Sequence, residues 1–160
     1  MSAYISFFLR GEDNKFYPIG SYSRSSAIYS MFDNNEIGPW ERIEAITEAK
    51  LNKVESFTER QINKWIKLKT QIEEKISLVK SLEGSIEERI SMWDGLKDEL
   101  CDCKATIEEL EEVKSFIWFL KEAITEVKWD DNFNITPENY LYAGIEIGYP
   151  TIYDIVEGVY

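Results

Sequence analysis

Residues Leu82–Glu88, LEGSIEE, decide how this chain folds. They interrupt two long stretches of helical periodicity. Gly84 suits the left-handed backbone that ends a helix. Ser85 and Glu88 then supply an S-x-x-E capping box, which satisfies orphan N–H groups where a new helix begins. A short break between two long helices predicts a helical hairpin.

Written as heptads from Thr47, the upstream run places Leu51, Thr58, Trp65, Ile72 and Val79 at one seam position. Val54, Gln61, Leu68, Lys75 and Leu82 take the other. Seven of these ten are apolar, enough for one buried stripe. Downstream, Ile86, Ile90, Trp93, Leu96, Leu100, Cys103, Ile107, Leu110, Val113, Ile117, Leu120, Ile124 and Val127 recur in steps of three and four, with Gly95 the single helix breaker among them. A helix of ~43 residues would be roughly 65 Å long at ~1.5 Å per residue.

Charge predicts how the two helices pair. Residues 47–82 carry a net +3 and residues 83–128 a net −7, so the helices should pack antiparallel. A parallel homodimer would set the acidic helix against its own copy. Folding about Gly84 puts residue i opposite 167 − i. On that register Leu68 faces Glu99 and Leu100, Val54 faces Val113, and Lys64 and Lys67 lie near Asp102 and Glu99.

The flanks read as a small sheet. In AYISFFLR, residues 3–10, Ile5, Phe7 and Leu9 alternate with Tyr4, Ser6, Phe8 and Arg10, which predicts a strand with one apolar face. GEDNK is a five-residue turn into FYPIG, a second strand that Pro18 confines to an edge or stops early. Ala27, Ile28, Met31 and Phe32 predict a helix over about 25–32 capped by Ser23. ERIEAI reads as a third strand or as the opening of the next helix; the strand is favoured, with Thr47 capping the long helix after it. SFIWFLKEAITEV is apolar on almost every side, so residues 116–127 should be buried all round against the sheet, with the turn at Gly84 in solvent. YLYAGIEIG alternates as the last strand, and TIYDIVEG closes the chain as a helix. The fold class is α+β: one domain whose base, residues 1–46 and 129–160, forms an antiparallel or mixed sheet, with the helical hairpin, 47–128, inserted before the last strand.

Composition excludes several functions. The chain has 160 residues, 44% hydrophobic and 14% aromatic, so it can bury a core. Its net charge of −12 disfavours direct nucleic-acid binding and suits docking on a basic surface. There is no histidine, which removes the commonest general base and metal ligand. Cys101 and Cys103, two apart on a helix, suit neither a disulfide nor a zinc site. No cofactor or metal is expected, no catalytic residue stands out, and no enzyme is read here. The N-terminus lacks a basic n-region and breaks its apolar run at Arg10, so it does not read as a signal peptide. No run is apolar enough for a membrane span. Acidic pairs such as Glu73–Glu74 diverge on helix surfaces; Glu44 and Glu146 are a pair that folding could bring together.

SYSRSS, residues 21–26, is read either as an anion site at a helix N-terminus, with Tyr22, Arg24 and Ser25, or as a cap; capping is favoured. Candidate binding carboxylates are Glu87, Glu88, Glu108, Glu109, Glu111 and Glu112. Ile62, Trp65 and Ile76 are seam residues expected to stay exposed after the hairpin closes, and form a candidate homodimer face.

YISFFLRGEDNKFYPIGSYSRSSAIY, the charged hairpin and YLYAGIEIG together resemble small coiled-coil proteins of tailed bacteriophages, FYPIGSYSRSS being the distinctive stretch. The resemblance implies a non-enzymatic inhibitor of a host enzyme or immune effector, such as a CRISPR nuclease, acting in the cytoplasm of a bacterial host cell. Its partner would be a host protein with a basic or nucleic-acid-binding surface. Two other readings stand beside it: a structural or assembly protein that oligomerises through its hairpin, and a small-molecule enzyme or sensor using Tyr22, Arg24 and the tyrosines of the last strand.

Overall fold

The computed structural model describes residues 3–81 and 84–147. The terminal helix expected over TIYDIVEG lies outside the described residues. The chain is α+β, with a four-stranded sheet and two long helices packed as a hairpin. Strands β1 (Ala3–Arg10), β2 (Phe16–Ser23), β3 (Glu44–Ala45) and β4 (Leu141–Ile147) lie in the order β2-β1-β4-β3, every neighbour antiparallel. Three helices complete it: α1 (Ala27–Asn34), α2 (Glu48–Val79) and α3 (Ile86–Trp129). The chain divides into two compact units, residues 1–57 with 113–160, and residues 58–112, so both boundaries fall inside the long helices.

In the first unit, β1 is central and buried on both faces: Ile5 and Phe7 on one, Ser6 and Phe8 on the other. The GEDNK turn forms as read, with Asn14 in the left-handed region (φ 63°). Its Asp13 accepts a hydrogen bond from the Tyr17 hydroxyl, which holds the Asp13 carboxyl below its ordinary range. Strand β2 is an edge, as Pro18 requires, but it continues to Ser23. Gly20 lies opposite Phe7 and Pro18 opposite Phe8, so Ile19 is the extra residue of a bulge, which accommodates a residue unable to donate to the ladder. The third strand is only two residues long. Thr47 caps α2, its hydroxyl accepting the Lys50 N–H at 3.3 Å.

On the helical face of this sheet, the Phe7, Phe32, Tyr22 and Phe116 rings meet edge-on, with centroids 4.9 to 6.3 Å apart. Ile117, Leu120, Ile124 and Val127 of α3 are buried. Trp118 and Phe119 are not, which corrects the expectation of a helix buried all round. A helix presents one stripe to the sheet and one to its partner helix. Glu55–Lys121, at 2.9 Å, and Glu48–Lys128 mark where that partner, α2, runs.

These ion pairs also correct the register. They set residue i opposite 176 − i, nine residues from the spacing expected for a fold about Gly84. The second unit shows the same slip: Val79 lines grooves with Ile90, Trp93, Gly95 and Leu96, whereas 167 − i would set it against Glu88. The connection does not account for the slip, since helix ends at Val79 and Ile86 would by themselves pair near 165 − i. α2 ends at Val79, before Gly84, and Ser85 caps α3 by accepting the Glu88 N–H at 3.1 Å. Gly84 has φ +148° and precedes that cap; it does not close α2.

Leu68 is accordingly 40% exposed, and Ile62 and Ile72 are buried. A straight helix turns ~3.6 residues per turn against a 3.5-residue repeat, so the buried stripe drifts from the Gln61/Leu68/Lys75 column to Ile62 and Ile76.

Candidate functional site

SYSRSS resolves into backbone architecture. Arg24 N–H donates to Ala3 O at 2.8 Å, closing the end of β2 against β1. The N-cap of α1 is Ser26, three residues later than the Ser23 expected, and its hydroxyl accepts the Tyr29 N–H at 3.2 Å. Ser26 also donates to Ser23 O at 2.7 Å. Helix α1 starts later because Ser23 is still the last residue of β2. The remaining hydroxyls pair: Ser6 donates to Ser21 at 3.1 Å, and Ser23 and Ser25 share a 2.8 Å hydrogen bond. The Tyr22 ring packs against Phe7 and Phe116, and burial pushes its phenol above the ordinary tyrosine range. All four serine hydroxyls are engaged within the chain, and only Arg24 and Ser25 of the candidate trio are exposed.

Glu44 and Glu146 do not meet. Glu44 lies opposite Ala143 and shares its face of the sheet, and Glu146, three residues further, points to the other. Glu146 is buried, Glu44 exposed. Among the described residues, no group of three or more Cys, Asp or Glu side chains is arranged to hold a metal ion. No described helix is long and apolar enough to cross a membrane.

The carboxylates of α3 form the strongest feature of the second unit. Between Ile86 and Glu112 stand Glu87, Glu88, Asp94, Asp98, Glu99, Asp102, Glu108, Glu109, Glu111 and Glu112, all exposed, against three cations, Arg89, Lys97 and Lys104. The helix is amphipathic here: its apolar stripe, including Cys103 and Leu110, faces inward, which turns the charged positions to the surface. Glu87 and Glu88 also complement the helix dipole in the first turn, a structural role that does not remove them from the surface. Ten carboxylates along ~40 Å of helix give about one per 4 Å, close to the ~3.4 Å phosphate spacing along one DNA strand.

Of the candidate dimer face, the structure buries one member and leaves two partly open. Ile62 is buried in the hairpin seam, while Trp65 and Ile76 are half-buried. The most exposed large apolar residues of the second unit lie at Leu78, Ile86, Ile90 and Met92, with Ile66 and Leu68 less so. Leu78 and Met92 were legible as apolar residues off the seam. Ile86 and Ile90 fit the seam period and gave no such signal. Compared with protein-family models, curated proteins and solved structures, the chain finds no match.

Proposed function

We propose that this chain is a non-enzymatic binding protein that sets the carboxylate face of α3 against a basic surface of another protein, in the place of a nucleic-acid strand. The observation that carries the reading is the run of ten exposed carboxylates on one stretch of helix. Such an array repels phosphate and attracts the Lys- and Arg-rich surfaces that bind it. Glu108, Glu109, Glu111 and Glu112 form its densest part. The resemblance to phage proteins makes the partner a host enzyme or immune effector, with a CRISPR nuclease as one instance, and the site of action the cytoplasm of a bacterial host.

The test is capture from a bacterial lysate at low salt, by the full chain and by a variant with Glu108→Gln, Glu109→Gln, Glu111→Gln and Glu112→Gln. Capture of nucleic-acid-binding proteins, competed by duplex DNA and lost in the variant, is expected. Capture indifferent to both DNA and the four substitutions would refute the reading.

A further inference from the structure

We propose that the distal end of the hairpin, around Val79 and Ile90, is a self-association surface covered by the same surface of a second copy of this chain. The apolar exposure of the second unit is concentrated here: Leu78, Ile86, Ile90 and Met92 are each between half and two-thirds exposed. They line two grooves that share Val79, of 270 and 440 Å³. Exposed apolar clusters rimmed by charge mark interaction sites.

Charge selects the occupant. The smaller groove is lined by four apolar residues with Lys80 and Arg89, and no carboxylate, in a chain of net charge −12. The same turns of α3 expose Glu87, Glu88, Asp94 and Asp98. A surface that carries an apolar groove with a cationic rim next to a carboxylate flank is complementary to itself. Two-fold pairing is the commonest way such a patch closes. A strongly basic partner would meet Lys80 and Arg89 here, which leaves the groove and its carboxylate flank to a second copy and the densest carboxylates, Glu108, Glu109, Glu111 and Glu112, to the basic partner.

Two further observations point the same way. Gly95 sits inside α3, where glycine is the poorest residue after proline, yet a Cβ added there would meet nothing within 4 Å. The chain's own packing gives no reason for it. A second helix approaching closely across the larger groove, which Gly95 lines, does. The indole N–H of Trp93, in the smaller groove, is shut from solvent with no acceptor, and Lys97 lies 3.8 Å over its ring. Pairing with a second copy has to shift the groups that cover this N–H before a carboxylate can supply that acceptor.

Sedimentation velocity of the full chain, from low to high micromolar concentration, tests the proposal. A monomer–dimer equilibrium is expected. Ile90→Glu should weaken it about a hundredfold or more, because the new carboxylate is buried against apolar groups, with helix content unchanged because Ile90 is exposed in the single chain. Gly95→Ala should raise the melting temperature of the monomer and still weaken the dimer about tenfold, a split that loss of folding cannot produce. Trp118→Glu, outside the surface, should leave the dimer intact. A Lys80→Glu, Arg89→Glu variant and a Glu87→Lys, Glu88→Lys variant should each self-associate poorly and pair with one another on mixing. A wild-type chain that stays monomeric, a dimer that survives Ile90→Glu, or charge variants that fail to pair would overturn it. None of these outcomes depends on Glu108–Glu112.

Discussion

Leu68 and Ile72 are four residues apart on α2, and substituting each in turn measures the helix register directly. Ile72 is 3% exposed and Leu68 is 40% exposed. Truncating either to alanine removes three carbons, about 2.4 kcal/mol at ~0.8 kcal/mol each if fully buried. At Ile72 a cavity adds to that, so Ile72→Ala should cost roughly 3 kcal/mol, within the 2–5 typical of core truncations. At Leu68 only about six-tenths of the loss applies and no cavity forms, leaving ~1.4 kcal/mol at most. Lysine widens the contrast. Leu68→Lys should cost under ~1.5 kcal/mol, since the stem lies along the helix and the ammonium reaches water. Ile72→Lys buries a charge without a partner and should exceed ~4 kcal/mol. Urea denaturation gives these values, and hydrogen exchange should show protection lost over residues 58–112 for Ile72→Lys alone. Equal costs at the two positions, or a larger one at Leu68, would return the register to 167 − i.

Four other outcomes rest on single contacts. Ser26→Ala should destabilise by ~1 kcal/mol by removing the α1 cap, whereas Ser23→Ala should cost less, both read by thermal melts. Gly144→Ala should cost ~2 kcal/mol or more, because its Cβ would sit 2.2 Å from the Arg42 carbonyl oxygen; expression with wild-type stability would contradict that close approach. Thiol labelling followed by mass spectrometry should modify the exposed Cys101 first, since Cys103 is buried and its thiol is pushed up by that burial and by Asp102 and Glu99. The Lys128 hydrogen bond and charge hold the Glu48 carboxyl below its ordinary value of 4.5. A depressed folded-state pKa contributes stability above the unfolded value that is lost as pH falls through the folded one, so Lys128→Met should flatten the stability curve below about pH 4.5 and raise the Glu48 pKa in an NMR titration.

Helix and strand existence were legible because both depend on periods a chain displays in one dimension. The α3 steps from Cys103 to Val127, with Ile107 only half-buried, and the alternation of Ile5, Phe7, Ala143 and Ile145 reappear as burial. Turn chemistry was equally local: GEDNK and the caps at Thr47 and Ser85 formed where they were read, each satisfying backbone groups within a few residues. The Ser26 cap shows the limit of locality. Ser23 has the same hydroxyl, and only the extension of β2 along β1 decides which serine begins the helix.

The candidate site divides in the same way. That α3 would expose an acidic face came from its composition and period alone. Which apolar residues would remain uncovered did not, because that depends on the axial offset between two helices. A heptad seam repeats along its length, so several axial offsets set apolar positions against each other, and the period alone does not select among them; the nine-residue slip is about 2.5 turns. The ion pairs Glu48–Lys128 and Glu55–Lys121 mark the offset through contacts 80 and 66 residues apart in sequence. The chain's own periodicity therefore determined that there would be a sheet, a hairpin and an acidic face. Tertiary packing alone decided that Ile62 and Ile72 are covered, that Leu68 is not, and that Leu78, Ile86, Ile90 and Met92 are left at the surface.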